Sequence, residues 1–185
     1  MKNKRVYHRS GTPDFPVSIG IEYPGKHLKI KPDASYHSEI EISMQVAGSS
    51  VNWIDGETIT HQAGDIWIVP SETPHRRIAY SEDSVIYWMV FLPDAIAMQP
   101  EHFFQKEFVK PLAERRLEMP FLLQPGHPCY ESVRQGILQL KNCPFYGANY
   151  KQKRLQVLMQ ICLALMPYCR ADESVAVIPE AAPEG

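Results

Sequence analysis

The chain has 185 residues, with 19 Lys and Arg against 21 Asp and Glu, a formal net charge of -2, 44% hydrophobic and 22% charged residues. That mix suits one globular domain with apolar material enough for a core without metal or disulfide staples. The near-neutral charge argues against a surface that grips DNA directly, and no run approaches the ~18 apolar residues of a membrane-spanning helix.

The first 14 residues include Lys2, Lys4, Arg5, His8 and Arg9 and lack the apolar core of a signal peptide. They read as a flexible basic arm. From residue 15 to 93, short runs rich in β-branched and aromatic residues recur between turn signals. Val17, Ile19, Ile21 and Tyr23 take one face of a strand that Pro24-Gly25 ends. In the next strand, Ile40, Ile42, Met44 and Val46 alternate with Glu39, Glu41, Ser43 and Gln45. Runs 51–54 and 57–61 flank Asp55-Gly56, a strong hairpin signal. Runs 66–69, 76–80 and 85–92 complete at least seven strands, which predicts a barrel or a sandwich. His61, in the hairpin, and His127, beside a proline, are expected at the surface.

From 94 to 169 the period becomes helical. A helix over 130–141 places Val133, Ile137 and Leu140 on one stripe. A stronger one runs from Asn149, a suitable N-cap, to Met166, where Pro167 stops it. Its first stripe contains Leu155, Leu158, Met159, Cys162, Leu165 and Met166; Val157, Ile161 and Ala164 form a second. Two apolar stripes call for two buried surfaces. Val157, Ile161 and Ala164, with Leu158 beside them, are expected to form a homodimer seam. The alternative is that another helix of the same chain covers them. The pairing would be antiparallel, since Lys151, Lys153 and Arg154 crowd the first turn. Cys129, Cys143, Cys162 and Cys169 contain no C-x-x-C pair and read as reduced buried thiols of a cytoplasmic protein. Residues 170–185 show no periodicity and read as a polar linker leading towards a further domain.

Two segments stand out. The first is Ser35-Tyr36-His37-Ser38-Glu39-Ile40-Glu41, with Gly48 seven residues on; the second is Gly64-Asp65-Ile66-Trp67-Ile68-Val69-Pro70, followed by Thr73-Pro74-His75. They resemble the two sequence motifs of the cupin barrel. The resemblance implies a small antiparallel β-barrel whose histidines and glutamate can hold a divalent metal. Carried over by position, His37, Glu41 and His75 match three of those ligands. Ser35 stands where a histidine is expected, and Glu72 where a glycine is usual. Two imidazoles and one carboxylate remain, a set that can act as an iron-holding facial triad. Polar pocket walls are the expected use of these groups, with no metal and no cofactor.

With two amphipathic helices after the barrel, residues 15–168 resemble the N-terminal half of AraC-type transcription regulators. The fold expected is mainly β, a cupin-like antiparallel barrel followed by a C-terminal α-helical hairpin. The resemblance implies a domain that binds a small effector, often a sugar or related metabolite, and dimerises through its helices. DNA would be read only by a helix-turn-helix domain, of which residues 170–185 show no sign. The expected ligand-binding residues are His37, Glu39, Glu41, His75, Arg77 and Trp88. Trp88 would offer an indole platform to a sugar's C–H face, and Arg77 would meet an anionic group. The inward polar side of the 37–45 strand is costly if dry, which argues for a wet interior; a solvent-facing open sheet is the plainer alternative. No nucleophile motif, phosphate loop or zinc-hydrolase signature is present, so no enzyme is expected. The competing reading is a small metal-dependent cupin enzyme, an isomerase or dioxygenase, against which Ser35 weighs.

Overall fold

The computed structural model describes residues 4–5, 11–23, 33–140, 142–143, 146–147 and 149–171. In chain order these form β1 (Lys4–Arg5), β2 (Val17–Glu22), β3 (Ser35–Tyr36), β4 (Ile40–Ala47), β5 (Ser49–Ile54), β6 (Glu57–Gln62), β7 (Ile66–Val69), β8 (His75–Tyr80) and β9 (Val85–Phe91). A 3₁₀ turn (Pro93–Ile96) and a π turn (Gln105–Val109) lead to α1 (Lys110–Ala113), β10 (Leu117–Glu118) and β11 (Leu122–Leu123). Then come α2 (Tyr130–Leu140), α3 (Tyr150–Leu165), a 3₁₀ turn (Met166–Tyr168) and β12 (Arg170–Ala171). Asp55 and Gly56 join β5 to β6 at φ 47° and 97°, the left-handed pair that a two-residue hairpin turn demands. No helix among the described residues is long and apolar enough to cross a membrane.

Two five-stranded sheets result, ordered β1-β3-β8-β5-β6 and β11-β7-β4-β9-β2. All pairings within them are antiparallel except β1 with β3. The fold is mainly β, cupin-like, with the sheets face to face rather than closed into one continuous ring and with a C-terminal helical hairpin. Three boundaries differ from expectation. Lys4–Arg5 of the basic arm is a strand on β3, and Arg5 donates to Glu72 at 2.7 Å; the rest of the arm before residue 11 lies outside the described residues. β11, within the segment expected to be helical, pairs with β7 and extends the second sheet. β12 pairs with β10, and residues 172–185 lie outside the described residues.

The alternation of β4 has a use that its sequence alone does not reveal. Ile40, Ile42 and Met44 face the helices, where they join Phe91, Met89, Phe108, Ile137, Leu158 and Leu165 in one large core. The opposite face of β4 looks across at the other sheet. Ser43 and Gln45 on that face are fully buried, so the open-sheet alternative does not hold. Between the sheets the apolar material is a small cluster of Ile54, Trp67, Val69 and Ile86. The main core therefore lies outside the sandwich, and the interior is left largely to polar side chains.

The helices correct the dimer surface. Val157, Leu158 and Ile161 are buried in the chain's own core, and Ala164 packs against it. The stripe expected to seek a second copy is closed by α2 of the same chain. Gly136 is the reason, because a Cβ there would lie 2.5 Å from Ile161 Cγ1. With no side chain at 136, α3 comes close enough to bury the stripe. Asn149 takes the expected N-cap position of α3, but in a left-handed conformation, φ 68°, and without a capping bond from its side chain. Cys129, Cys143 and Cys162 are buried, Cys169 is half-buried, and all four are free thiols. Burial pushes the Cys169 thiol up to about 12, far from a reactive thiolate.

Candidate functional site

The cluster expected at His37, Glu41 and His75 forms, but by a different route. Residues 37–39 are not in a strand, so strand alternation does not align His37 with Glu41. Instead β3 and β8 lie in one sheet and β4 in the other. Ser35 pairs directly with His75, and His37 follows β3 into the interior. Glu41 arrives from the facing sheet. His37 Nε2 and His75 Nε2 stand 4.0 and 3.8 Å from Glu41 Oε2, and the imidazole rings meet edge to face with centroids 5.0 Å apart.

Each group is held from behind. His75 Nδ1 lies 2.9 Å from the Thr73 carbonyl and His37 Nδ1 3.1 Å from the Glu39 carbonyl. Carbonyls only accept, so Nδ1 carries a proton in both rings and Nε2 is the nitrogen that faces the cluster. Glu41 divides its oxygens. Oε1 accepts from Ser43 Oγ at 2.8 Å and lies 3.7 Å from Arg77 Nη2, while Oε2 faces the two imidazoles. Glu39 is buried, but its carboxylate sits at Nδ1 of His37, 3.5 Å away. It lies behind the imidazole that Glu41 faces.

Arg77 reaches across the interior from β8 and forms an ion pair with Glu22 on β2; Tyr80 Oη donates to the same carboxylate at 3.3 Å. Trp88 lies in register with Ser43 on one side and Gly20 on the other, on the face that carries Glu41. A Cβ at Gly20 would meet the indole at 2.3 Å, so the ring lies against bare backbone. Thus the structure places His37, Glu41, His75, Arg77 and Trp88 on the interior, with Glu39 in support.

Four interior groups escaped the sequence reading. Glu22 and Asn52 are two; the parity of Glu22 with Gly20 and of Asn52 with Ile54 was the available signal. Asn52 is buried in register with Arg77, and its Nδ2 has no partner. Tyr80, Arg77's aromatic neighbour, is the third. His61 corrects the surface expectation: it is fully buried, stacked on Trp67 at 4.1 Å between centroids, with neither ring nitrogen bonded. Burial holds its pKa down at about 4, against the opposing pull of Asp65. Its parity with apolar Ile59 pointed inward. A separate groove of about 470 Å³, lined by Ile54, Ile59, Pro70, Leu117 and Phe121 among others, does not include His37, Glu41 or His75.

Two imidazole nitrogens and a carboxylate oxygen suit a divalent transition metal in kind, and the hydrogen bonds behind them resemble a metal's outer shell. The spacing suits it less. Ligand atoms about 2.1 Å from one ion lie about 3.0–3.4 Å apart in octahedral or tetrahedral order. The contacts of 3.8 and 4.0 Å exceed that. Ser35, across from His75, has no imidazole to contribute.

No family model matches the sequence, and no curated protein does. Solved structures similar to the chain include a cupin protein from Bacteroides fragilis, 26% identical over 45% of this chain and 70% of that one, with a TM-score of 0.33. Others are a putative mannose-6-phosphate isomerase from Ralstonia eutropha (18% identity, 44% and 77%, TM-score 0.36) and a predicted oxalate decarboxylase from Thermotoga maritima (19%, 42% and 65%, TM-score 0.33). For a protein from Photorhabdus luminescens, the match spans 52% of its length. These are partial likenesses of fold, and the cupin-like assignment stands on the strand order and register.

Proposed function

We propose that this chain is the effector-sensing part of a cytoplasmic AraC-type transcription regulator. It binds a small polar metabolite between its sheets, acts as a homodimer, and leaves DNA to a separate helix-turn-helix domain. The observation that carries this reading is the reversal of the usual burial. The large core lies between the second sheet and the helices, while the space between the sheets holds Glu22, Glu41, His37, His75, Arg77 and Asn52 beside the Trp88 indole. Asn52 Nδ2 there is buried without a hydrogen-bond partner, a costly state that a polar small molecule relieves. β1 pairs with β3, the strand opposite His75, so occupancy of the interior can bias the arm and, through it, the placement of an attached domain.

A thermal-shift screen over sugars, polyols, sugar acids and small amines tests the reading. A ligand at a hundred times its dissociation constant adds ~2.7 kcal/mol, about 5–10 °C for a domain of this size. Trp88→Ala should abolish the shift while the protein stays folded. If no compound stabilises the wild type, the sensor reading falls. The second reading, a metal-dependent cupin enzyme, is favoured by the donor set alone. Stoichiometric iron, manganese or zinc in the purified protein would support it.

A further inference from the structure

We infer that the free edge of β6, with the groove beside it, is a docking site for an extended basic peptide, which adds a strand to the first sheet. β6 (Glu57–Gln62) ends that sheet among the described residues. The hairpin geometry fixes which of its backbone groups are spare. Asp55-Gly56 is a two-residue turn, so Ile54 and Glu57 form the bonded pair that closes it, and bonding then recurs at every second residue. Ile59 and His61 therefore spend their N–H and C=O on β5, while Thr58, Thr60 and Gln62 turn theirs outward. Gln62 confirms the parity, since its N–H donates to Asp65 Oδ2 at 2.8 Å. Thr58 and Thr60 have no such partner among the described residues, and both are exposed.

Edges of this kind are usually blunted by lysine, proline or a bulge. β6, Glu-Thr-Ile-Thr-His-Gln, has none of the three, and its register with β5 runs unbroken. Its alternate side chains point towards the other sheet: His61 stacks on Trp67, and Ile59 and Glu57 line the groove of about 470 Å³. A strand laid along Thr58 and Thr60 would present every second side chain to that same groove. Ile54, Ile68 and Phe121 make it apolar, and its rim carries Asp55, Glu57 and Glu118 against one cation, Arg115. The occupant is thus an extended segment whose inward side chains are apolar, with a lysine or arginine beside Glu57. A second copy of this chain fits less well. β6 has no lysine or arginine, so pairing it with itself leaves the three carboxylates unanswered. The groove does not include His37, Glu41 or His75, and the peptide site stands whether or not the sensor reading does.

The probe is the peptide acetyl-Val-Thr-Val-Thr-Lys-amide, titrated into the full, isotope-labelled chain and followed by NMR. Laid antiparallel with its lysine at Glu57, it puts its two threonines opposite Thr60 and Thr58. The amides of Thr58 and Thr60 should shift saturably and gain protection from hydrogen exchange, while those of Ile59 and His61, already bonded to β5, gain little. The same peptide N-methylated at both threonines should not bind. Glutamate in place of the peptide's lysine should weaken binding about two- to fivefold, and Glu57→Lys should reverse that preference. Thr60→Pro should abolish binding with the fold intact, because the N–H it removes faces away from β5; the N-methylated peptide makes the same test on the unaltered chain. No saturable binding, equal binding of the N-methylated peptide, or a preference for glutamate in the wild type overturns the peptide site. So does protection of Thr58 and Thr60 by self-association before any peptide is added, which would give the edge to a second copy.

Discussion

Gly136→Ala isolates the contact that closes α3 onto α2. The new Cβ would lie 2.5 Å from Ile161 Cγ1 and 3.1 Å from Cδ1, inside a core where Ile161 is fully buried. Overpacking of this kind costs ~1–3 kcal/mol. Alanine also gains about 0.5–1 kcal/mol over glycine within a helix. The net effect should be a loss of about 0–2 kcal/mol. Ile161→Ala alone should cost ~2–5 kcal/mol through the cavity it leaves. In that background the Cβ at 136 meets no Cγ1, so Gly136→Ala should become stabilising by about 0.5–1 kcal/mol. The sign change means a coupling of ~1–3 kcal/mol, well above the few tenths expected of independent sites. Urea denaturation of the four proteins reads it from the midpoints, provided the slopes agree. Should Gly136→Ala stabilise both backgrounds equally, the helices do not meet at this point and the buried stripe is misassigned. The same geometry changes what Ile161→Glu would do: it places a charge in the monomer's core, so the variant should fail to fold rather than fold as a monomer.

The remaining predictions concern the interior and assembly. Gly20→Ala should push the Trp88 indole off the backbone, changing tryptophan fluorescence and lowering effector affinity at least as much as stability; an unchanged spectrum would contradict the 2.3 Å approach. His61 is held neutral in the fold at about 4 against an ordinary 6.5, so its cost is absent above pH 6.5 and grows as the unfolded chain protonates between pH 6.5 and 4. His61→Phe, stacked on Trp67 in its place, should flatten urea midpoints across that window; an equally steep decline would assign the pH dependence elsewhere. Sedimentation should find a dimer whose seam avoids Val157 and Ile161. Leu163, which remains 49% exposed on α3, is the residue to vary to Glu, and a monomeric wild type would remove the homodimer from the reading.

What could be read in advance follows from which forces are local. The β5–β6 hairpin was legible because Asp55-Gly56 satisfies a left-handed turn without help from the rest of the chain. The two faces of β4 were legible too, since alternation is a property of one strand. Alternation does not say what covers each face, so the apolar side of Ile40, Ile42 and Met44 could as well have filled a barrel as met the helices. The two stripes of α3 posed the same problem. A 3.6-residue period reports that two faces are buried, and the identity of the second cover lay ten or more residues away at Gly136, a small residue easily passed over as a weak point of α2. The site shows the limit most clearly. His37, Glu41 and His75 were reachable by resemblance, but no strand alternation brings them together. Their meeting depends on β3 and β4 belonging to opposite sheets, a long-range choice made by pairing with β8 on one side and β9 on the other. Glu22 and Asn52 depend on that choice as well. Each looks like an ordinary strand residue until Arg77 comes beside it, from the facing sheet for Glu22 and from the paired strand β8 for Asn52, and a charge or amide becomes part of a site only when such a neighbour arrives.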